Sequence, residues 1–210
     1  MKELKPQTRY CKICFQPINN NNLLSLLYSN NYCSKCLEKL KPKFHSFVVD
    51  GYKAIAIYDY DETIQHFLYQ YKGCFDRELN NLFINKFKWY FVLKYKNYEI
   101  VPIPSYIEDD EKRGFNHVEE IFKNLGLPIL KILEKTEHFK QADHTSKERT
   151  EIYKYLRITY TDSLINKKIL IVDDVYTTGS TMKSAINLVK QLNPKEIKIL
   201  VMSKTTYIQN

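Results

Sequence analysis

Val172-Asp173-Asp174-Val175-Tyr176-Thr177-Thr178-Gly179-Ser180-Thr181 is the stretch on which the reading of this chain turns. The apolar run Ile169-Leu170-Ile171-Val172 that enters it has the length and β-branched content of a buried strand. Met182, Ala185, Ile186, Val189 and Leu192 leave it at three- and four-residue spacing, the pattern of a helix. Two carboxylates therefore stand at the C-terminal end of a strand, and four hydroxyls and a glycine form the turn into a helix N-terminus. Unpaired N–H groups and the helix dipole favour an anion at such a turn. Gly179 lets a ligand approach the backbone closely. The adjacent acids can accept from sugar hydroxyls or help hold Mg²⁺ beside a phosphate. An ordinary cap needs one hydroxyl and no acid pair. A Walker B strand would require a partner G-x-x-x-x-G-K-[ST], which the five glycines do not supply.

Outward from this loop, strand and helix patterns alternate. Ala54–Tyr60 reads as a strand, and Asp61 as the cap of a helix with Ile64, Phe67, Leu68 and Tyr71 inward, ended by Lys72-Gly73. Residues 76–96 read as one helix with Leu79, Leu82, Phe83, Phe87, Tyr90 and Phe91 on its apolar stripe. Glu99–Pro104 reads as a strand, and Pro104–Asn116 as a long, mobile polar loop ending near Arg113. Val118, Ile121, Phe122 and Leu125 mark a further helix closed by Gly126 and Pro128. After the acid-pair strand and its helix come an Asn193-Pro194 stop and a last strand, Glu196–Ser203. This alternation predicts a parallel sheet flanked by helices. The ends at Pro102-Ile103-Pro104 and Asp173-Asp174 should then share the ligand-binding edge.

Four of the five cysteines lie near the N-terminus, as Cys11-x-x-Cys14 and Cys33-x-x-Cys36 with eighteen residues between the pairs. This is the spacing of a structural zinc site, in which two knuckles close a tetrahedral Cys₄ shell with no open position. The Asn-rich segment between them (Asn19 to Asn22, Asn30, Asn31) is too small to bury a core unaided, so metal must supply folding energy. Two disulfides are the rival reading, which a cytosolic location disfavours. Cys74, unpaired, reads as a small core hydrophobe. The expected division is a zinc module over 1–45 and an α/β domain over 46–210.

No apolar run approaches the length of a membrane span, so no membrane insertion is expected and the cytosol is the default location. Net charge is +8, and residues 1–50 carry eight basic against three acidic residues, a bias that points to a polyanionic partner. Lys86–Tyr98 interleaves Lys and aromatic residues, as single-stranded nucleic acid binding requires. The apolar helix stripe claims Phe87, Tyr90 and Phe91, which leaves Trp89 as the candidate stacking residue. Arg113 suits a bidentate grip on a diphosphate, and Lys72 could approach the same group. His144, without a partner at ligand spacing, reads as solvated.

Val172–Thr181 resembles the phosphate loop of type I phosphoribosyltransferases, which bind phosphoribosyl pyrophosphate (PRPP). The resemblance implies that Asp173 and Asp174 face the ribose hydroxyls. It also implies that Val175, Tyr176, Thr177, Thr178, Gly179, Ser180 and Thr181 bind PRPP, the last five around its 5′-phosphate. Over most of the chain, the order Cys₄ module, Tyr71-Lys72-Gly73, Val101-Pro102-Ile103-Pro104, Arg113-Gly114-Phe115-Asn116, Gln141, Arg149 and phosphate loop resembles the ComF/GntX family. That family joins a zinc finger to a type I phosphoribosyltransferase-like domain. The chain has His117 where the family usually has Gln, and Ile152 where Asn usually follows Arg149 by three residues. The resemblance implies Mg²⁺ with PRPP and catalytic roles for Asp173, Asp174 and Arg113. It further implies a part in DNA uptake for natural transformation, with single-stranded DNA and a helicase or other DNA-uptake protein as partners. The alternative is a module with a retired transferase site that senses PRPP or binds single-stranded DNA.

Overall fold

The computed structural model describes residues 9–18, 31–135, 156–160 and 162–206. Asn19 to Asn22, Asn30, Gln141, His144, Arg149 and Ile152 lie outside the described residues. The chain divides into two compact units, Met1–Lys41 and Pro42–Asn210.

In the first unit a tight turn carries the first cysteine pair. Tyr10 bridges Pro17, Cys11 N donates to Gln16 O at 2.8 Å, and Phe15 N donates to Cys11 O at 2.8 Å. The second pair straddles the start of α1 (Ser34–Glu38), where Cys33 O accepts from Cys36 N and Leu37 N, both at 3.1 Å. Ile13, Tyr32 and Leu40 are buried with Cys11 and Cys36. So few apolar side chains stabilise a fold weakly without further support.

The second unit is built on a five-stranded sheet. Its elements are β1 (His45–Val49), β2 (Tyr52–Asp59), α2 (Glu62–Leu68), α3 (Lys88–Tyr95), β3 (Tyr98–Pro102), α4 (Ile107–Arg113), α5 (His117–Phe122), β4 (Leu133–Lys135), β5 (Leu156–Ile158), β6 (Lys168–Tyr176), α6 (Ser180–Lys190) and β7 (Glu196–Lys204). Strand order is β1-β2-β7-β6-β3, with β1 antiparallel to β2 and the other neighbours parallel. The central strands are apolar on both faces, as a sheet covered on both sides requires. Ile169 and Ile171 pack in one cluster with Met182, Ala185, Ile186 and Val189 of α6. Leu170 and Val172 alternate to the other face, also buried, and α5 packs on β3 and β6. Among the described residues no helix is long and apolar enough to cross a membrane.

The two strand ends expected to share an edge do so. Pro102 pairs with Val172, and Ile103 N donates to Val172 O at 2.9 Å. Asp61 caps α2 through its side chain, which accepts from Ile64 N at 2.9 Å.

Four sequence readings are corrected. Pro104–Asn116 is not a loop throughout, because Ile107–Arg113 forms α4. Glu108, Asp109 and Asp110 in its first turn and Lys112 and Arg113 in its last complement the helix dipole. Gly114 then closes it at φ +78°, a conformation that glycine adopts without strain. Residues 76–96 are not one helix. Two 3₁₀ turns, Arg77–Asn81 and Asn85–Phe87, precede α3, where Asn80, Asn81 and Asn85 compete for backbone hydrogen bonds. Within that stretch Tyr90 is exposed and Phe87 half-buried, while the inward positions of α3 are Phe91 and Tyr95. Cys74 is exposed, not core. It follows a π-turn, Tyr69–Gly73, and its N–H returns to Tyr69 O at 3.0 Å. The antiparallel hairpin of β4 and β5 was not anticipated.

Candidate functional site

Asp174 is the centre of the sheet-edge site. It lies on β6 two residues beyond the level where Pro102 of β3 pairs with Val172, and it is buried. One carboxylate oxygen, Oδ1, accepts from Val175 N at 2.6 Å. The other, Oδ2, accepts from Lys72 Nζ at 2.7 Å and from His117 Nε2 at 3.1 Å. Lys72 arrives through the π-turn that ends α2, and His117 is the first residue of α5. Burial alone would push the Asp174 carboxyl up, but Lys72 and His117 outweigh it and hold the group well below the usual carboxylate range. Burial likewise works against the Lys72 ammonium, and Asp174 more than offsets it, so its pKa lies above the ordinary lysine value. For Asp173, burial and then the neighbouring Asp174 charge both push the pKa up. Its Oδ1 accepts from Asp174 N at 2.9 Å.

Arg113, at the C-terminal end of α4, is anchored rather than free in a loop. Its Nη1 meets Asp110 Oδ1 at 2.8 Å and lies 3.3 Å from His117 Nδ1, while Nε donates to Lys72 O at 3.3 Å. Ser105 Oγ and His117 Nδ1 are 3.1 Å apart. Thus Lys72, Arg113, His117 and Asp174, from four separate segments, form one connected polar cluster. Tyr71 fixes it from below by donating its hydroxyl to His117 O at 2.8 Å.

The hydroxyl-rich turn follows on the same strand. Thr177 and Thr178 are exposed, Ser180 and Thr181 half-exposed. Thr178 Oγ1 and Ser180 Oγ are 3.1 Å apart at the start of the eleven-residue α6. Gly179 has φ +78°, and a Cβ there would lie 2.3 Å from the Tyr176 hydroxyl. Tyr176 packs its ring on Phe47 at 4.9 Å between centroids, so it cannot yield freely. Only glycine satisfies both constraints.

His117 and Lys135 are residues the sequence reading did not assign to the site. The separate element bringing His117 in left no local signal. Lys135 ends β4, with its ammonium 4.5 Å from the centroid of the Tyr106 ring. Burial lowers its pKa, against the pull of Asp173, Asp174 and Asp109.

In the first unit the ligand atoms of Cys11, Cys14, Cys33 and Cys36 all lie within 4.8 Å of one another, so these cysteines could hold a metal ion such as zinc. Zn–S bonds of about 2.3 Å in a tetrahedron place sulfurs about 3.8 Å apart. Cys14 Sγ and Cys33 Sγ stand at 3.6 Å, and all four thiols are free. Cys33 N donates to Cys11 Sγ at 3.3 Å, the kind of amide contact that supports a thiolate. The donor set therefore fits a closed, structural Cys₄ site.

The phosphoribosyl transferase domain family matches residues 111–205. Competence protein ComFC of Streptococcus pneumoniae is 34% identical over 145 residues, covering 68% of this chain and 64% of that protein. Competence protein ComFC of Bacillus subtilis is 30% identical over 132 residues, 62% of this chain and 55% of that one. Competence protein F of Haemophilus influenzae is 27% identical over 185 residues, 83% of this chain and 79% of its own. The chain thus spans less than two thirds of the length of the two ComFC proteins. These relatives and the matched domain bear out the resemblance to the ComF family drawn from the motifs, and the parallel sheet with flanking helices agrees with it.

Proposed function

We propose that this chain is a PRPP-binding, phosphoribosyltransferase-like protein that acts in DNA uptake for natural transformation, handling imported single-stranded DNA in the cytosol. One observation carries the PRPP reading. Lys72 and Arg113 converge with the Asp173-Asp174 strand end, which runs directly into the Thr177–Thr181 turn. Two cations for a diphosphate, acids for a ribose and a helix N-terminus for a phosphate then lie in the order in which PRPP presents those groups. The competence role draws its support from the similarity to competence proteins ComFC and F, and a helicase or other uptake protein as partner follows only from that role. Four free thiols at one site suit a reducing compartment.

In this reading the amides and hydroxyls of Val175–Thr181 hold the 5′-phosphate and fix the sugar. Among the described residues one oxygen of Asp173 has no protein donor, and it is of the hard type that Mg²⁺ prefers, so Asp173 is the residue to hold a Mg²⁺ that enters with the diphosphate. When bound, that ion would neutralise charge on the leaving group. Lys72 and Arg113 would stabilise the same charge from the protein side as the bond from ribose C1 to diphosphate breaks and a bond to the acceptor forms.

The second reading, a PRPP-sensing or single-stranded DNA-binding module with a retired transferase site, is favoured by the surface of α3. Trp89 is 79% and Leu93 72% exposed, one helical turn apart beside Lys88 and Lys94. Titration calorimetry with PRPP and Mg²⁺ tests the shared premise. Thr178→Val should weaken binding by removing a phosphate donor. Arg113→Lys should weaken PRPP but spare ribose 5-phosphate, because it loses the guanidinium fork. Equal PRPP affinity in wild type and both variants would remove the assignment. Pyrophosphate release in the presence of candidate acceptors separates the enzyme from the module.

A further inference from the structure

We propose that the two adjacent acids have divided roles, and that His117 is the positioning residue that enforces the division. Asp174 is an anchor fixed by Lys72 and His117, and Asp173 is the acid that meets the ligand. This rests on the phosphoribosyl reading of the site.

The hydrogen-bond inventory separates the two carboxylates. Asp174 receives three protein donors, from Val175 N on Oδ1 and from Lys72 and His117 on Oδ2. Its side chain is only 10% exposed. Turning it toward a sugar hydroxyl would break the ion pair with Lys72 and strand the imidazole N–H of His117, whose side chain is only 12% exposed, which costs more than the new bond returns. Asp173 accepts only from Asp174 N, through Oδ1, so among the described residues its second oxygen has no protein donor.

The network also fixes which ring nitrogen of His117 carries the proton. Asn116 Oδ1 accepts from Glu119 N at 2.8 Å, which turns the Asn116 amide nitrogen toward Ser105 Oγ at 3.3 Å and Asp110 Oδ2 at 2.8 Å. Ser105 Oγ thus accepts from Asn116 and donates to His117 Nδ1 at 3.1 Å. Arg113 Nη1, a donor in every state, also faces Nδ1 at 3.3 Å. Nδ1 is therefore an acceptor, and Nε2 carries the hydrogen that goes to Asp174. What the position requires is one N–H donor toward Asp174 and one acceptor toward Ser105 and Arg113. A glutamine amide offers both, so His117→Gln should keep both contacts.

Nitrogen NMR of the ligand-free protein at pH 8 reads the tautomer directly. The expected result is a His117 ring protonated on Nε2, and a ring protonated on Nδ1 overturns the proposal. Calorimetric titration with PRPP and Mg²⁺ then compares His117→Gln with His117→Phe. His117→Gln should stay within about threefold of wild type, whereas His117→Phe should weaken binding about tenfold or more, the loss of one charge-assisted contact. Equal losses in both variants, or none in His117→Phe, would refute the positioning role. Should wild-type protein fail to bind PRPP, the phosphoribosyl reading falls. The tautomer still decides the anchor, as do the melting points, where His117→Gln should match wild type and His117→Phe should fall below it.

Discussion

Replacing the acids of the pair by asparagine, one at a time, should move the stability of the ligand-free protein in opposite directions. Asp174→Asn keeps an acceptor for Val175 N but loses the charge that holds Lys72 at 2.7 Å and His117 at 3.1 Å. Charge-assisted bonds contribute about 1.5–3 kcal/mol each. The Lys72 side chain, 35% exposed, can return to water and recover part of this. A net loss of about 2 kcal/mol lowers the melting temperature by about 4–8 °C for a chain of this size. Asp173→Asn keeps the bond to Asp174 N and removes a like charge. Neighbouring carboxylates at an effective dielectric near 20 repel by about 2–4 kcal/mol. Part of that repulsion persists in the unfolded chain, so the gain is about 1 kcal/mol, or about 2–4 °C. The pH dependence follows from the two directions of shift. Asp174 is depressed in the folded state, so its contribution is complete above the unfolded value near 4 and disappears as pH falls through the folded one. The deficit of Asp174→Asn should hold from about pH 5 upward and narrow below about pH 4. Asp173 is raised, so its cost is present above its folded pKa and is relieved as pH falls toward the unfolded value. The advantage of Asp173→Asn should therefore fade on acidification. Differential scanning calorimetry from pH 4 to 8 in phosphate-free buffer measures both. If Asp174→Asn melts with wild type, or if both variants shift downward together, the anchor assignment is wrong.

Protein purified without added zinc should carry close to one equivalent per chain, and Cys36→Ser should release it, as metal analysis by emission spectroscopy would show; metal-free reduced protein would contradict the Cys₄ reading. Gly179→Ala should cost about 1–2 kcal/mol from the left-handed backbone alone and displace the Tyr176 ring from Phe47, so melting temperature and PRPP affinity should both drop, and a neutral outcome would mean the turn relaxes easily. Single-stranded DNA should bind weakly and with strong salt dependence. Charge reversal at Lys39, Lys41 and Lys43 should flatten the salt slope, while Trp89→Ala should lower affinity by about 1–3 kcal/mol without changing it, as fluorescence anisotropy with a labelled oligonucleotide would resolve.

The parallel sheet could be read from the chain because its signals are local. Ile169–Val172 is apolar at every position, as a strand covered on both faces must be. Asp61 and Gly126 mark helix ends through caps whose chemistry lies within three residues. The errors came where two local signals competed. The acidic run at 108–111 reads as solvated loop by composition, yet its order, acids first and bases last before Gly114, is that of a short helix. The aromatic run of 76–96 keeps helical spacing, but its asparagines break it into turns, and Phe91 with Tyr95 takes the buried face.

The site divides along the same line. The strand end carrying the acid pair and the hydroxyl-rich turn into a helix were legible because the residues that define them are contiguous. What each acid does was not, because it depends on partners from distant segments. Lys72 lies 102 positions from Asp174 and His117 lies 57, and neither distance carries a periodicity that sequence could report. Two identical carboxylates side by side invite the same role, yet Lys72 and His117 both meet Asp174. One therefore meets the Lys72–His117 pair while the other keeps an open oxygen. A π-turn and the first residue of a helix thus decide between chemically equal groups. At His117 the role is set by donor and acceptor rather than by residue name, with Nε2 facing Asp174 and Nδ1 facing Ser105 and Arg113.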